Sequence, residues 1–136
     1  MRFGQQAEEA AALYLEKHGY KILQRNYRTR LAEIDIIALH KASSSTDTNL
    51  NAINYQDNQN VDTLVFIEVK ARSSTRYGLP SEAVSISKQK KIVSAALQYI
   101  KEHGFNDTKI RFDVMSILVD NGQYKIEIID NAFQGC

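Results

Sequence analysis

The sequence lacks the side chains from which several common kinds of site are built. It has 136 residues and one cysteine, Cys136, so an internal disulfide and a cysteine-based metal cage are both excluded. The three histidines, His18, His40 and His103, are far apart in the sequence, which argues against a histidine zinc site. The six glycines are scattered singly, so the glycine loop that cradles a nucleotide phosphate is missing as well.

Long apolar runs and a charge excess are also missing. The longest apolar stretches, such as residues 64–67, are interrupted within a few positions, and the N-terminal part has no apolar centre of the kind found in secretory signals. We therefore expect no membrane association and a cytoplasmic location. The formal net charge is only +1, whereas a dedicated nucleic-acid binder is commonly strongly basic.

The basic residues are nevertheless clustered. Six lysines or arginines lie between positions 70 and 91 against a single acid, Glu82. A second cluster precedes the first acidic strand and consists of Lys21, Arg25, Arg28 and Arg30. A local basic field can attract a phosphate backbone even when the total charge is near zero. Taken alone, either cluster is explained equally well as a solvated surface.

Hydrophobic periodicity predicts elements in the order α-β-β-β-α-β-β. Helices are predicted over residues 2–18 and 87–103, each closed by a glycine. Strands are predicted over residues 20–27, 33–39, 63–71, 110–119 and 124–129. This order is typical of an α/β fold, with a mixed central sheet of about five strands flanked by helices. Residues 41–62 are rich in small polar side chains and are expected to form a flexible insertion within one domain, 1–136.

Charged residues inside two apolar strands are the most informative feature of the sequence. In the strand EIDIIAL, residues 33–39, a regular alternation places Glu33, Asp35 and Ile37 on one face. The same alternation places Ile34 and Ile36 on the opposite face. Burying a charge costs several kcal/mol, on the order of 5, unless the charge is paired or binds a metal.

The strand TLVFIEVKA, residues 63–71, projects Glu68 and Lys70 from the same face. By themselves they are compatible with an ordinary ion pair at a strand end. Asp35 changes the expectation, because two buried carboxylates that face each other repel unless a cation compensates them. The spacing of Asp35, Glu68 and Lys70 therefore predicts a site for Mg²⁺ or Mn²⁺ that hydrolyses phosphodiester bonds, with the lysine positioning the attacking water.

Each helix offers a further polar group at the end of an apolar stripe. Glu8 lies on the stripe of the first helix and is either a metal ligand or an acid that complements the helix dipole. Gln89 leads into the stripe of the second helix and, with Lys90, faces either the site or solvent. The stripe of the first helix contains Gly4, Ala11 and Leu15, and that of the second contains Val93, Ala96 and Ile100.

Four separated blocks resemble a known family: GQQAEEAAALYLEKHGYKILQRNYR, EIDIIA, LVFIEVKAR and RFDV. They resemble the YraN-like family of uncharacterised bacterial proteins over nearly the whole chain except residues 41–62. That family is assigned to the restriction-endonuclease-like, PD-(D/E)XK nuclease superfamily and is similar to archaeal Holliday-junction resolvases. The resemblance implies a restriction-endonuclease-like fold and a metal-dependent nuclease acting on DNA, with branched DNA among the candidate substrates and a homodimer as the common working form.

The resemblance also implies roles for single residues. Glu8 corresponds to the helical acid, Asp35 to the strand acid, Glu68 to the second metal ligand and Lys70 to the catalytic lysine. Ile34 stands where a proline often precedes the first acid. The candidate substrate contacts are Arg28 of the second cluster together with Arg72, Tyr77, Gln89 and Lys90. Two alternatives stay open, namely a non-catalytic nucleic-acid-binding module with this fold and a structural domain whose charges form a buried network.

Overall fold

Over the residues that it describes, the computed structural model contains two helices and five strands in the predicted order. It describes residues 3–41, 62–72, 84–105, 107–120, 122–130 and 132. Most of the predicted insertion, residues 42–61, and Tyr77 lie outside this range. The elements are α1 (Phe3–Lys17), β1 (Tyr20–Arg28), β2 (Glu33–His40), β3 (Thr63–Arg72), α2 (Ile86–His103), β4 (Lys109–Asp120) and β5 (Gln123–Ile129).

The strands lie in one sheet in the order of the sequence, β1-β2-β3-β4-β5. β3 and β4 are parallel, whereas each of the other neighbouring pairs is antiparallel. A parallel pair needs a crossover connection, and α2 lies in the connection between β3 and β4. The predicted α/β class and mixed sheet are therefore confirmed.

One helix covers each face of the sheet. α1 buries Ala7, Ala11 and Leu15 against one face, which confirms Ala11 and Leu15 of the predicted stripe. α2 packs on the opposite face, where Ile92 and Ala96 are buried. Each fully buried leucine or isoleucine side chain stabilises the fold by about 2 kcal/mol, and each buried alanine methyl by about 0.8 kcal/mol. Among the described residues, neither helix has the length and apolar character needed to cross a membrane.

The stripe predicted for α2 is wrong at one position. Val93 is only partly buried, whereas its neighbour Ile92 is buried together with Tyr99. In this orientation the ring of Tyr99 packs edge-on against Phe66 of β3, at a centroid distance of 6.1 Å. The residue one turn before Ile92 is Lys88, so Lys88 lies on the sheet-facing stripe.

The first and last turns of α2 are fixed by local hydrogen bonds. The hydroxyl of Ser85 accepts a hydrogen bond from the backbone N–H of Lys88 at 3.1 Å, which is an N-cap. Gly104 ends the helix with φ of 75°, a left-handed conformation that glycine adopts without strain. The predicted glycine stop is confirmed.

The block RFDV owes its pattern to the two faces of β4. Phe112 and Val114 belong to the core beneath α2. Arg111 makes three hydrogen bonds of 2.8 to 3.1 Å with Asp113, which is 1% exposed, and donates another to the Tyr20 hydroxyl at 2.9 Å. This buried pair ties β4 to β1.

Replacement of Asp113 by alanine is expected to lower the free energy of unfolding by about 3 kcal/mol, because Arg111 would keep its charge in the interior without its main partner. Urea denaturation followed by circular dichroism measures the change. Asp107→Ala, at an exposed turn before β4, is the control and should change stability by less than about 0.5 kcal/mol. Equal effects of the two substitutions would contradict a stabilising role for the Arg111 pair.

Candidate active site

The regular alternation predicted for β2 is wrong at Asp35. Ile34 and Ile37 both belong to the core beneath α2, whereas Ile36 belongs to the core beneath α1. On the partner strand, Asn26 lies between the pairs on either side of Asp35 and has φ of 54°. β2 therefore changes the phase of its side chains at Asp35, opposite this left-handed residue.

Asp35 lies where β2 and β3 separate. The pairing of the two strands ends at Ile36 opposite Ile67, and the next residue on each strand is an acid, Asp35 on β2 and Glu68 on β3. Asp35 accepts a hydrogen bond at Oδ2 from the backbone N–H of Val69, at 2.8 Å. Its side chain thus takes the place of a strand carbonyl and is held beside Glu68.

The environment of Asp35 opposes its ionisation. Burial raises the pKa of Asp35 from its ordinary value of 3.8 to about 7, and the negative charge of Glu68 acts in the same direction. The charges of Glu8 and Glu33 raise the pKa further, while the Val69 hydrogen bond partly offsets them. A cation near Asp35 would therefore be bound by a group that otherwise carries a proton for much of the time near neutral pH.

Glu68 is held by two lysines. Its Oε1 accepts a hydrogen bond from Lys88 Nζ at 2.7 Å, and Lys70 Nζ lies 3.6 Å from the same oxygen. Glu68 is buried, with 8% of its surface exposed. Burial, followed by the neighbouring Lys88, lowers the pKa of Lys70. Burial acts the same way on Lys88, but its hydrogen bond with Glu68 and the nearby negative charges raise its pKa overall.

Glu8, on α1, is a further acid whose charge acts on Asp35. With its amide nitrogen turned toward the acids, Asn26 donates to Glu8 Oε1 at 3.1 Å and to Glu33 Oε1 at 3.2 Å. Glu8, Asn26 and Glu33 line an open cleft of about 670 Å³ between α1 and β1, together with Arg25 and Arg28. Two of its lining acids, Glu8 and Glu33, act electrostatically on Asp35.

The predicted substrate contacts occupy different settings. Arg28 is largely exposed and donates from Nε to Glu33 Oε2 at 2.7 Å, at the rim of the cleft. Gln89 donates its amide to the carbonyl of Val84 at 3.0 Å, within the start of α2. Lys90 is exposed, and Arg72 is half-buried at the end of β3. Tyr77 lies outside the described residues. These contacts stay predictions.

Sequence reasoning gave Lys88 no place at the site and assigned Gln89 and Lys90 instead. The error follows from the stripe of α2, because Gln89 is one turn before Val93, whereas Lys88 is one turn before Ile92, the residue that is buried. A signal was present, since Lys88 has helical spacing from both Ile92 and Ala96. Asn26 gave no comparable signal, because its conformation depends on the neighbouring strand.

The residues fit a hard divalent cation. In the part of the chain that the structure describes, no three carboxylate, histidine or cysteine side chains are grouped closely enough to enclose a metal by themselves. Mg²⁺ rarely needs such an enclosure, because it is commonly bound by one or two carboxylates, waters and substrate phosphates. Asp35 and Glu68 supply two adjacent carboxylates whose repulsion, expressed in the raised pKa of Asp35, a cation would relieve.

Comparison with known proteins finds a family match that includes the residues of the site. A family model described as "Uncharacterised protein family UPF0102" matches residues 7–117, a range that contains Glu8, Asp35, Glu68, Lys70 and Lys88. A UPF0102 protein of Desulforapulum autotrophicum is 43% identical over 133 residues, covering 98% of this chain and 93% of the relative. A UPF0102 protein of Alkaliphilus oremlandii is 42% identical over 134 residues and covers 97% of each chain.

The same family name is carried by a protein of Caldanaerobacter subterraneus, which is 39% identical over 133 residues, with 96% of this chain and 93% of the relative covered. These descriptions name no activity. The chemistry of the site must therefore be argued from its residues.

The raised pKa of Asp35 predicts a pH-dependent stability in metal-free buffer. Because the folded protein holds this proton more tightly than the unfolded chain, the stabilisation is fully present below pH about 4 and is lost as the pH rises through about 7. Asp35→Asn keeps an oxygen for the Val69 N–H and removes the charge. The variant is expected to exceed the wild type by about 2 kcal/mol at pH 8 and to match it near pH 4.

Thermal and urea denaturation at both pH values, in the presence of a chelator, measure this difference. Asp107→Asn, at an exposed position, serves as the control and should show no pH-dependent gain. A constant difference between Asp35→Asn and wild type across the whole range would refute the assigned pKa.

Proposed function

The chain belongs to the uncharacterised protein family UPF0102, and we propose that it is a divalent-metal-dependent nuclease that hydrolyses phosphodiester bonds in DNA, branched DNA included. The observation that carries the proposal is the adjacency of Asp35 and Glu68 where β2 and β3 separate, with Lys70 next to them. The mixed sheet with one helix on each face supports the further proposal of a restriction-endonuclease-like fold.

Asp35 and Glu68 are the proposed ligands of Mg²⁺ or Mn²⁺, with Glu8 as a further acid, direct or through water. Val69 orients the Asp35 carboxylate through its backbone N–H, so that this ligand needs little rearrangement. When bound, such a metal lowers the pKa of a water molecule and offsets negative charge on the phosphate. The raised pKa of Asp35 also means that cation binding releases a proton from the site near neutral pH.

Lys70 is the proposed catalytic lysine. Its side chain is 23% exposed, so it lies within the site and still reaches solvent at its edge. The pKa of Lys70 is lowered by burial and by Lys88, which brings the ammonium closer to the range in which it can exchange a proton with an attacking water. In its charged form Lys70 stabilises the negative charge that develops on the phosphoryl oxygens.

The DNA strand is proposed to approach along the cleft between α1 and β1. Arg28 at its rim and Arg25 on its wall pair with the cleft acids Glu33 and Glu9, and phosphate binding would exchange those carboxylates for phosphate oxygens. Phosphate contacts of this kind depend on local charge, so a chain of net charge +1 can still hold a phosphate backbone. A homodimer would present two such sites to two strands.

A non-catalytic nucleic-acid-binding module is the second candidate, and one observation favours it. Glu68 has two lysine partners, Lys88 and Lys70, within the protein itself, as in a structural ion network. Under this alternative the charges support the fold and the basic residues hold the nucleic acid. Cleavage and metal affinity separate the two proposals.

The decisive experiment is a cleavage assay on labelled four-way-junction, flap and single-stranded DNA with Mg²⁺ or Mn²⁺. Asp35→Asn, Glu68→Gln and Lys70→Met are each expected to reduce the cleavage rate by about 100-fold or more, because each removes a group that acts in the transition state. The three variants keep the size of the side chain, so binding to the DNA should change far less than cleavage.

Glu127→Gln is the matched control, since Glu127 is an exposed carboxylate on the edge strand β5. Its cleavage rate should equal that of the wild type. Cleavage that persists in Asp35→Asn would exclude the proposed site. Gel-shift binding by the wild type without cleavage or saturable Mn²⁺ binding would favour the non-catalytic module.

A further inference from the structure

Lys88 and Lys70 share one oxygen of Glu68 unequally. Lys88 Nζ lies at hydrogen-bonding distance, 2.7 Å from Glu68 Oε1, whereas Lys70 Nζ is 3.6 Å away. The closer partner comes from α2, and the more distant one is on β3 itself. Lys70, which shares β3 with Glu68, is thus farther from its Oε1 than Lys88, which comes from α2.

The backbone of Lys88 is fixed, so only its side chain can rearrange. Ser85 caps its backbone N–H at 3.1 Å, and Gln89 ties the same turn back to the carbonyl of Val84 at 3.0 Å. The backbone N–H of Gln89 also donates to the carbonyl of Ser85 at 2.8 Å. Rotation about the four side-chain bonds of Lys88 is therefore enough to move its ammonium away from Glu68.

The two lysines also differ in their access to solvent. The Lys88 side chain is 40% exposed, against 23% for Lys70. Lys70 is the register partner of Ser116, so the parallel pairing of β3 with β4 holds its main chain in place. Lys88 is at the first turn of α2 and gives up its 2.7 Å hydrogen bond with Glu68 when it turns away, but its ammonium reaches solvent more directly than that of Lys70.

Two ammonium groups, those of Lys70 and Lys88, lie within 3.6 Å of a single carboxylate oxygen, Glu68 Oε1. Arrival of a divalent cation would add further positive charge to this partly buried site, where like charges repel more strongly than in water. Departure of one ammonium relieves that repulsion, and the greater exposure of Lys88 selects it over Lys70.

We infer that Lys88 is an exchangeable counter-ion, which pairs with Glu68 while the site holds no metal and turns its ammonium to the substrate phosphate once a divalent cation binds. This inference rests on the proposed function, because it assumes that Asp35 and Glu68 hold the cation. It makes Lys88 a positioning residue that couples metal binding to DNA binding, a role that sequence spacing does not assign.

The first test measures Mn²⁺ affinity by isothermal titration calorimetry, without DNA. Lys88→Met keeps the length of the side chain and removes the charge, so the cation no longer has to replace an ammonium. We expect Mn²⁺ to bind about tenfold more tightly than to wild type. Lys91→Met is the matched control, because Lys91 is exposed on the same helix, and its Mn²⁺ affinity should stay within about twofold of wild type.

The second test measures binding of a labelled junction DNA by fluorescence anisotropy, with Ca²⁺ or with a chelator. Lys88→Met should weaken DNA binding about threefold in Ca²⁺, when the Lys88 ammonium faces phosphate in the wild type. It should leave binding unchanged in the chelator, where Glu68 holds Lys88. Lys88→Gln gives the same pattern if the methionine variant folds poorly.

The outcomes distinguish the exchange at Lys88 from the proposed nuclease site. Saturable Mn²⁺ binding by the wild type, with no gain in Lys88→Met, overturns the exchange and leaves the proposed nuclease intact. Lack of Mn²⁺ binding in the wild type and in Lys88→Met alike overturns the nuclease proposal and the exchange together. Equal losses of DNA affinity in Ca²⁺ and in chelator overturn the coupling, since Lys88 would then contact phosphate regardless of metal.

Discussion

The hydrogen bond from the Val69 backbone to the Asp35 carboxylate is the constraint on which the site depends. Where β2 and β3 stop pairing, the Val69 N–H would lose its strand partner, and a buried N–H without a partner costs free energy. Asp35 supplies the missing acceptor at 2.8 Å. The same contact holds its carboxylate beside Glu68. The need to give the Val69 N–H an acceptor therefore brings two acidic side chains together.

The remainder of the fold compensates for that conflict. Lys88 and Lys70 neutralise Glu68, and burial with neighbouring acids keeps a proton on Asp35 near neutral pH. The two apolar cores, one on each face of the sheet, stabilise the fold and offset the cost of these buried charges. Sites that retain destabilising charges of this kind are typically functional, since stability alone would favour their replacement.

Local patterns in the sequence predicted the elements well and two orientations poorly. The alternation in β3 placed Glu68 and Lys70 on one face, and in the structure Lys70 Nζ lies 3.6 Å from Glu68 Oε1. In β2 the alternation failed at Asp35, which lies at the level of Asn26, a residue of the neighbouring strand with a left-handed φ of 54°. In α2 the stripe was wrong only at Val93, because Ile92 is buried in its place, whereas Ala96 and Ile100 are buried as predicted.

The sequence by itself determined the order of the elements, the α/β class and the identity of the acids within apolar strands, because periodicity and charge are local properties. Only the tertiary structure decided that Asp35 turns into the gap between two strands and that Lys88 reaches Glu68 from another element. Those contacts join residues 34 and 20 positions apart. Their geometry follows from strand pairing and helix rotation, which depend on the packing of the whole sheet.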